Sequence, residues 1–237
     1  MEENNLKNLL AEFGDNVKFE YDLKKRNWFN IGGKSKVFYK AKNLKELINF
    51  LKKLNNKEKI FILGAGSNTL INDNLFDGVV IKLSNDFNNI SLLGENIIIA
   101  GSSVLDKTLS DFATDHSLSG FEFLSCIPGT IGGGIKMNAG CFGNEFKDIL
   151  LSIQAIDKTG NVITIPSKDI KFEYRKNDLD EDLIFLSASF KGIKSKTDII
   201  RNQVNRLKIE KEKNQPTKLK TSGSTFKNPL KKKKKKV

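Results

Sequence analysis

The stretch Ser125–Gly143 reads Ser-Cys-Ile-Pro-Gly-Thr-Ile-Gly-Gly-Gly-Ile-Lys-Met-Asn-Ala-Gly-Cys-Phe-Gly, with six glycines among nineteen residues. Glycine forfeits conformational entropy on folding, so such density marks a backbone that must reach conformations or distances a Cβ would forbid. One use of such a backbone is to aim amide N–H groups at a pyrophosphate or a flavin. The other reading is an ordinary series of turns. Upstream, Ile60-Phe61-Ile62-Leu63 runs into Gly64-Ala65-Gly66-Ser67-Asn68, a buried strand ending in a tight turn. Ser67 and Asn68 would add side-chain hydrogen bonds to whatever the exposed amides hold. No Gly-Lys-Ser/Thr follows, so this is not a Walker loop. The third glycine and the following helix of the dinucleotide fingerprint are missing, which disfavours a Rossmann domain.

The elements that must position these loops alternate coarsely between helix and strand. Leu44, Leu47, Ile48, Leu51 and Leu54 recur at helical spacing ahead of the strand at Ile60. Val79–Ile81 and Asn96–Ala100 read as strands. Val104, Leu105, Thr108, Leu109, Phe112 and Ala113 mark a second amphipathic helix, with Ser102 or Ser103 expected as its cap. Further strands are expected near Leu151–Asp157, Val162–Ile165 and Leu183–Phe190, the first two joined by a turn at Thr159-Gly160-Asn161. A charged helix from Lys196 to about Lys213 is expected to run outward and to stop at Gln215-Pro216. Strands and helices mixed without strict alternation predict an α+β fold.

Composition narrows the function classes. Forty basic residues against 28 acidic ones give a net charge of +12, and Lys231–Lys236 supply six of those charges. No basic helix with interleaved aromatics accompanies the charge, so nucleic acid is not expected as a partner, and an anionic small substrate is the better fit. No apolar run reaches the roughly 20 residues of a membrane span. With the acidic, polar start at Met1-Glu2-Glu3, this predicts a cytoplasmic protein. Cys126 and Cys141 are the two cysteines, expected as small packing residues rather than a disulfide. His116, the single histidine, sits at a helix end, so no multi-histidine metal site and no metal are expected.

Five segments, in order, carry a resemblance to the UDP-N-acetylenolpyruvoylglucosamine reductase family. They are Asn30-Ile31-Gly32-Gly33, Leu63–Asn68, Ile127–Gly133, Tyr174-Arg175 and Ser222-Gly223-Ser224-Thr225-Phe226-Lys227-Asn228-Pro229. The first four fit the wider FAD-binding superfamily, and the fifth points to this reductase. The resemblance implies an α+β, two-subdomain FAD-binding fold of the vanillyl-alcohol-oxidase type, followed by a substrate-binding domain. The implied division is an N-terminal helical segment at 1–16, the FAD-binding domain at 17–192, the start of the substrate domain at 193–230 and a lysine tail at 231–237.

The same resemblance implies non-covalent FAD held by Gly64, Ala65, Gly66, Ser67, Asn68, Ile127, Pro128, Gly129, Thr130, Gly132, Gly133, Asn138 and Gly140. NADPH is implied as co-substrate, and a UDP-sugar enolpyruvate as substrate contacted by Tyr174, Lys227 and Asn228. Arg175 matches the family arginine that holds the substrate carboxylate and its developing enolate, with an ion pair to Glu173 as the structural alternative. Ser224 matches the serine that protonates the resulting carbanion, with a turn hydroxyl as its alternative. A monomer is expected.

The sequence also departs from the family pattern. Members continue past Phe-Lys-Asn-Pro to a glutamate that assists the serine, whereas here a lysine run follows Leu230. The expectation is therefore a chain truncated in its substrate domain and impaired in substrate reduction, its lysine run a frameshift product or a basic tail. Two other readings stay open: a related FAD oxidoreductase of small hydroxy acids or sugars, and a flavin-binding fragment without turnover. Asn27 stands where the family often has threonine, and Gly134 where alanine is common.

Overall fold

Asn43 fixes the start of the first long helix. Its Oδ1 accepts the Glu46 amide at 2.8 Å while its Nδ2 donates to Glu46 Oε1 at 2.9 Å, a reciprocal cap. The computed structural model describes residues 3–215. In the first lobe α1 (Glu3–Leu10) precedes β1 (Val17–Asp22), β2 (Lys34–Ala41), α2 (Leu44–Leu54), β3 (Ile60–Ile62) and β4 (Phe76–Leu83). The sheet order is β1-β2-β4-β3, with β1 antiparallel to β2 and the other pairs parallel. Parallel pairing requires a crossover, which α2 and the glycine loop after β3 provide. Leu47, Phe50, Leu51 and Leu54 of α2 are buried against this sheet, and Phe50 stacks on Tyr39 with ring centroids 3.8 Å apart.

The second lobe contains β5 (Ile90–Leu93), β6 (Ile97–Gly101), α3 (Asp106–Asp115), β7 (Leu118–Ser119) and α4 (Ile131–Lys136). The short pair β8 (Gly140–Cys141) and β9 (Asn144–Glu145) follows, then β10 (Leu150–Ile156), β11 (Val162–Pro166), the hairpin β12 (Phe172–Glu173) and β13 (Lys176–Asn177), β14 (Ile184–Lys191), β15 (Ile193–Lys194) and α5 (Thr197–Asn214). Its main sheet, β11-β10-β14-β6-β5, is antiparallel throughout. Strand β14 serves both lobes. Its Ile184 and Leu186 join the core under α2, and its Phe185, Ala188 and Phe190 join the core under α3 and α4. The fold is α+β, as its pattern of elements predicts.

Two local expectations are corrected. Helix α3 begins at Asp106 with Leu105 in the cap position, not after a serine cap, because the backbones of both serines are tied into neighbouring elements ahead of it. The Ser102 amide donates to Leu186 O and the Ser103 amide to Phe87 O, while Ser103 Oγ donates to Leu83 O. Helix α5 does not run outward. Ile200, Val204 and Leu207 form a buried stripe, and Lys211 donates to the carbonyl of Cys126. An apolar stripe spaced three or four apart was legible, but the surrounding charge masked it. Among the described residues no helix is long and apolar enough to cross a membrane.

Candidate active site

The loop Gly64–Asn68 leaves β3 and meets the second lobe at Thr130: a Cβ on Gly64 would lie 2.6 Å from Thr130 Oγ1. Gly66 adopts φ +69°, and a side chain there would overlap the carbonyl of Arg26. Only glycine fits both demands. The amides of Ala65, Gly66, Ser67 and Asn68 find no acceptor among the described residues. Successive unpaired N–H groups in a turn form a concavity suited to an anion, as the sequence suggests for this loop. The loop is held from beneath by Lys82, whose Nζ donates to Gly64 O at 2.8 Å. Burial, and then the charges of Arg26 and Lys40, hold this ammonium below its ordinary pKa. Sequence reasoning missed Lys82, although a single lysine in Val79-Val80-Ile81-Lys82-Leu83 was its signal. Asn27 laces the neighbouring loop, its Nδ2 donating to Leu23 O at 3.2 Å and Ile31 O at 2.7 Å.

The second glycine segment splits into residues explained by packing and one that is open. A Cβ on Gly132 would approach Ser102 Cβ to 3.1 Å, and one on Gly134 would overlap the ring of Phe146. Gly133 is exposed, and its Cβ would come no nearer than 3.6 Å to Thr130 Oγ1. Gly132 and Gly134 are therefore glycines for the sake of helix packing, and Gly133 alone leaves its face free for a ligand. Pro128 is exposed and Ile127 half-buried beside it, while Thr130 is buried.

Asp106 lies beneath this segment, fully buried; among the described residues its carboxyl oxygens make no well-aligned hydrogen bond, and the Gly129 amide beside them compensates only weakly. Gly129 has no room for a side chain because its Cβ would sit 2.6 Å from Asp106 Oδ2. Burial pushes the Asp106 carboxyl well above the ordinary carboxylate range, with the Gly129 amide opposing only in part. Below the unfolded value both states are protonated and nothing is lost. As pH rises above it the unfolded chain ionises while the folded one does not, so stability falls up to the folded pKa. Asp106→Asn should remove that loss, raising Tm by roughly 3–8 °C at pH 8 and changing it little near pH 4. Thermal melts across that range check this; equal shifts at both ends would contradict a protonated Asp106.

Arg175 occupies the tip of the β12–β13 hairpin with φ +59°, a conformation that favours glycine. Retaining an arginine there argues that its side chain is what matters. Its Nη2 donates to Gly140 O at 2.8 Å and its Nη1 to Asn138 O at 3.3 Å, and the guanidinium lies 4.9 Å from the Tyr174 ring centroid. Glu173 pairs with Lys171 instead, so the ion-pair alternative for Arg175 does not hold. Asn138 takes a different place from the cofactor contact expected of it. It has no exposed surface, its Nδ2 donates to Glu145 Oε2 and Glu173 O, and its Oδ1 accepts the Lys147 amide. Gly140 likewise serves the protein, since a Cβ there would overlap Asn144 O. Together they fix the carbonyls that aim Arg175. Tyr174 is exposed beside it. Ser224, Lys227 and Asn228, with the rest of their motif and the lysine run, lie outside the described residues.

Comparison with known proteins gives three kinds of likeness. A family model described as "FAD binding domain" matches residues 35–166. The UDP-N-acetylenolpyruvoylglucosamine reductase of Pelagibacter ubique is 65% identical over 226 residues, covering 95% of this chain and 75% of that protein. The enzyme of the same name from Rickettsia typhi is 46% identical over 213 residues, covering 90% of this chain and 72% of its own. Among solved structures, the UDP-N-acetylenolpyruvylglucosamine reductase of Thermus caldophilus superposes with a TM-score of 0.78 at 28% identity, over 90% of this chain and 74% of that one.

Proposed function

Because the chain belongs to the UDP-N-acetylenolpyruvoylglucosamine reductase family, we propose that its two glycine loops hold FAD and that Arg175 receives the carboxylate of a UDP-sugar enolpyruvate. The protein is an FAD-dependent reductase that uses NADPH to convert UDP-N-acetylglucosamine enolpyruvate to UDP-N-acetylmuramate. The observation that carries the assignment of residues is the meeting of the Gly64–Asn68 loop with Thr130, which leaves acceptorless amides beside the open face of Gly133. That concavity fits a pyrophosphate, so FAD fits the residues present. Ala65, Gly66, Ser67 and Asn68 would donate from one lobe, and Pro128, Gly129, Thr130 and Gly133 would line it from the other.

When bound, FAD supplies the hydride that it draws from NADPH to the enolpyruvyl double bond. The substrate carbon beside the carboxylate then carries negative charge, which needs a fixed cation and afterwards a proton. Arg175 is fixed before substrate arrives, because two carbonyls already hold its planar fork, and its remaining N–H groups are left for the carboxylate. Ser224 is the proposed proton donor, with Lys227 and Asn228 binding the substrate. The same reading places the protein in the cytoplasm as a monomer.

Anaerobic titration tests the assignment. FAD added to the folded protein should give a bound flavin spectrum that NADPH bleaches. Folded protein that binds no flavin under any condition would overturn it.

A further inference from the structure

Lys40 and Lys82 stand directly opposite each other on the parallel strands β2 and β4. Strand alternation puts them on one face, two residues beyond Phe38 and Val80, which share a small core with Leu23 and Leu63. Like charges facing each other across a strand pair destabilise a sheet, so the pairing calls for something that offsets the repulsion. Among the described residues no carboxylate does so: neither lysine forms an ion pair, and neither does Arg26. Arg26 belongs to the same cluster. Its guanidinium lies 5.2 Å from the Tyr21 ring centroid and 5.5 Å from that of Phe38, and its Nε donates to the Tyr21 hydroxyl at 2.8 Å. Its charge and that of Lys40 both act on the half-buried Lys82 ammonium.

The cluster adjoins the first glycine loop. Lys40 and Lys82 lie at the carboxyl ends of β2 and β4, and β3 ends at Ile62 just ahead of Gly64. Ligands of open parallel sheets seat at these ends of the strands. Two contacts tie the cations to the loop. Lys82 Nζ donates to Gly64 O at 2.8 Å, and the segment that carries Arg26 packs on Gly66, whose carbonyl accepts the Trp28 amide at 3.0 Å. The loop itself offers the acceptorless amides of Ala65, Gly66, Ser67 and Asn68. Outward-pointing N–H groups beside uncompensated cations favour one kind of ligand, a multiply charged anion.

Resting on the assignment of FAD to this loop, we infer that Lys82, Lys40 and Arg26 supply the counter-charge of the FAD diphosphate, with Lys82 also fixing the loop that holds it.

A diphosphate brings two negative charges, and loop amides solvate them without neutralising them. The cluster provides the neutralisation. Lys82, half-buried, is screened less by salt than an exposed charge. Lys40 is exposed and makes no bond to the loop, so it acts on the ligand through charge alone. The repulsion between the two lysines is a strain of the flavin-free sheet that the bound diphosphate relieves.

The test uses the full chain freed of flavin, with FAD binding read by flavin fluorescence and stability by thermal melts. Wild-type affinity should fall several-fold between about 0.05 and 0.5 M salt. Lys40→Met should weaken FAD about three- to tenfold at the lower salt and less at the higher. The same variant should raise the Tm of the flavin-free protein by roughly 1–3 °C, as the cross-strand repulsion is removed. Weaker binding by a more stable protein separates charge from structure, because a residue that only braced the fold would lower both. Lys82→Met should weaken FAD at least about tenfold and flatten the salt response, and Lys82→Arg should retain more of the affinity. Wild-type affinity indifferent to salt, or wild-type affinity in Lys40→Met, would overturn the counter-charge while leaving the flavin assignment in place. A wild-type chain that binds no FAD would overturn both. The wild-type salt series and the exposed Lys40 decide even where a Lys82 variant fails to fold.

Discussion

Arg175→Ala should leave flavin reduction by NADPH within about twofold of the wild-type rate and slow reoxidation by substrate about 10²–10³-fold. The argument rests on where the guanidinium is held. Its contacts are the carbonyls of Asn138 and Gly140, so its aim is set by the β12–β13 hairpin and the β8 segment, not by the Gly64–Asn68 loop. Removing it takes away a pre-aligned cation at the place where substrate charge develops and leaves the FAD loops untouched. Arg175→Lys should recover little of the rate, since a point charge cannot hold two carbonyls and a carboxylate in one plane. Arg175→Gly serves as the control. It eases the backbone at φ +59° and keeps the hairpin, yet should be as slow as alanine. Stopped-flow absorbance with NADPH first and substrate second separates the steps, and an unchanged second phase in the glycine variant would remove Arg175 from the reaction.

Gly134→Ala should cost about 1–3 kcal/mol of stability. The new methyl would overlap the ring of Phe146. That ring cannot swing aside, being fully buried between Phe123 and Phe190 with centroids 6.3 and 6.1 Å away. Phe146→Leu alone should open a cavity and cost stability as well. Combined with Gly134→Ala it should recover a large part of both losses, because each change relieves the strain or the void that the other creates. Chemical denaturation of the two single variants and the double variant measures the coupling. Simple additivity would show that Gly134 is held by something other than this ring.

Both cases show which parts of the molecule its sequence made legible. Apolar spacing located α2, α3, β10 and β14, because burying one face is a local demand written into local spacing, and turn-forming residues located the bend at Gly160. The glycines flagged two loops, but their individual reasons were not readable. Gly132, Gly134 and Gly140 answer to Ser102, Phe146 and Asn144, which are distant in the chain or reach them only through the fold. Asn138 was grouped with the cofactor for its company in a glycine run, whereas burial and its hydrogen bonds to Glu145, Glu173 and Lys147 make it the brace of Arg175. Lys82 and Asp106 escaped notice for the converse reason. One charge on an apolar strand or at a helix start says little until burial around it is known.

Strand β14, with alternate side chains in two cores, has a mechanical consequence for the cleft. A strand that is a wall of both lobes cannot act as a pivot between them, because rotation would strip Ile184 and Leu186 or Phe185 and Phe190 from their packing. The span between the Gly64–Asn68 loop and Thr130 is accordingly set by the polypeptide itself. The two jaws stand at a fixed gauge before any nucleotide arrives, so little binding energy is diverted into drawing them together.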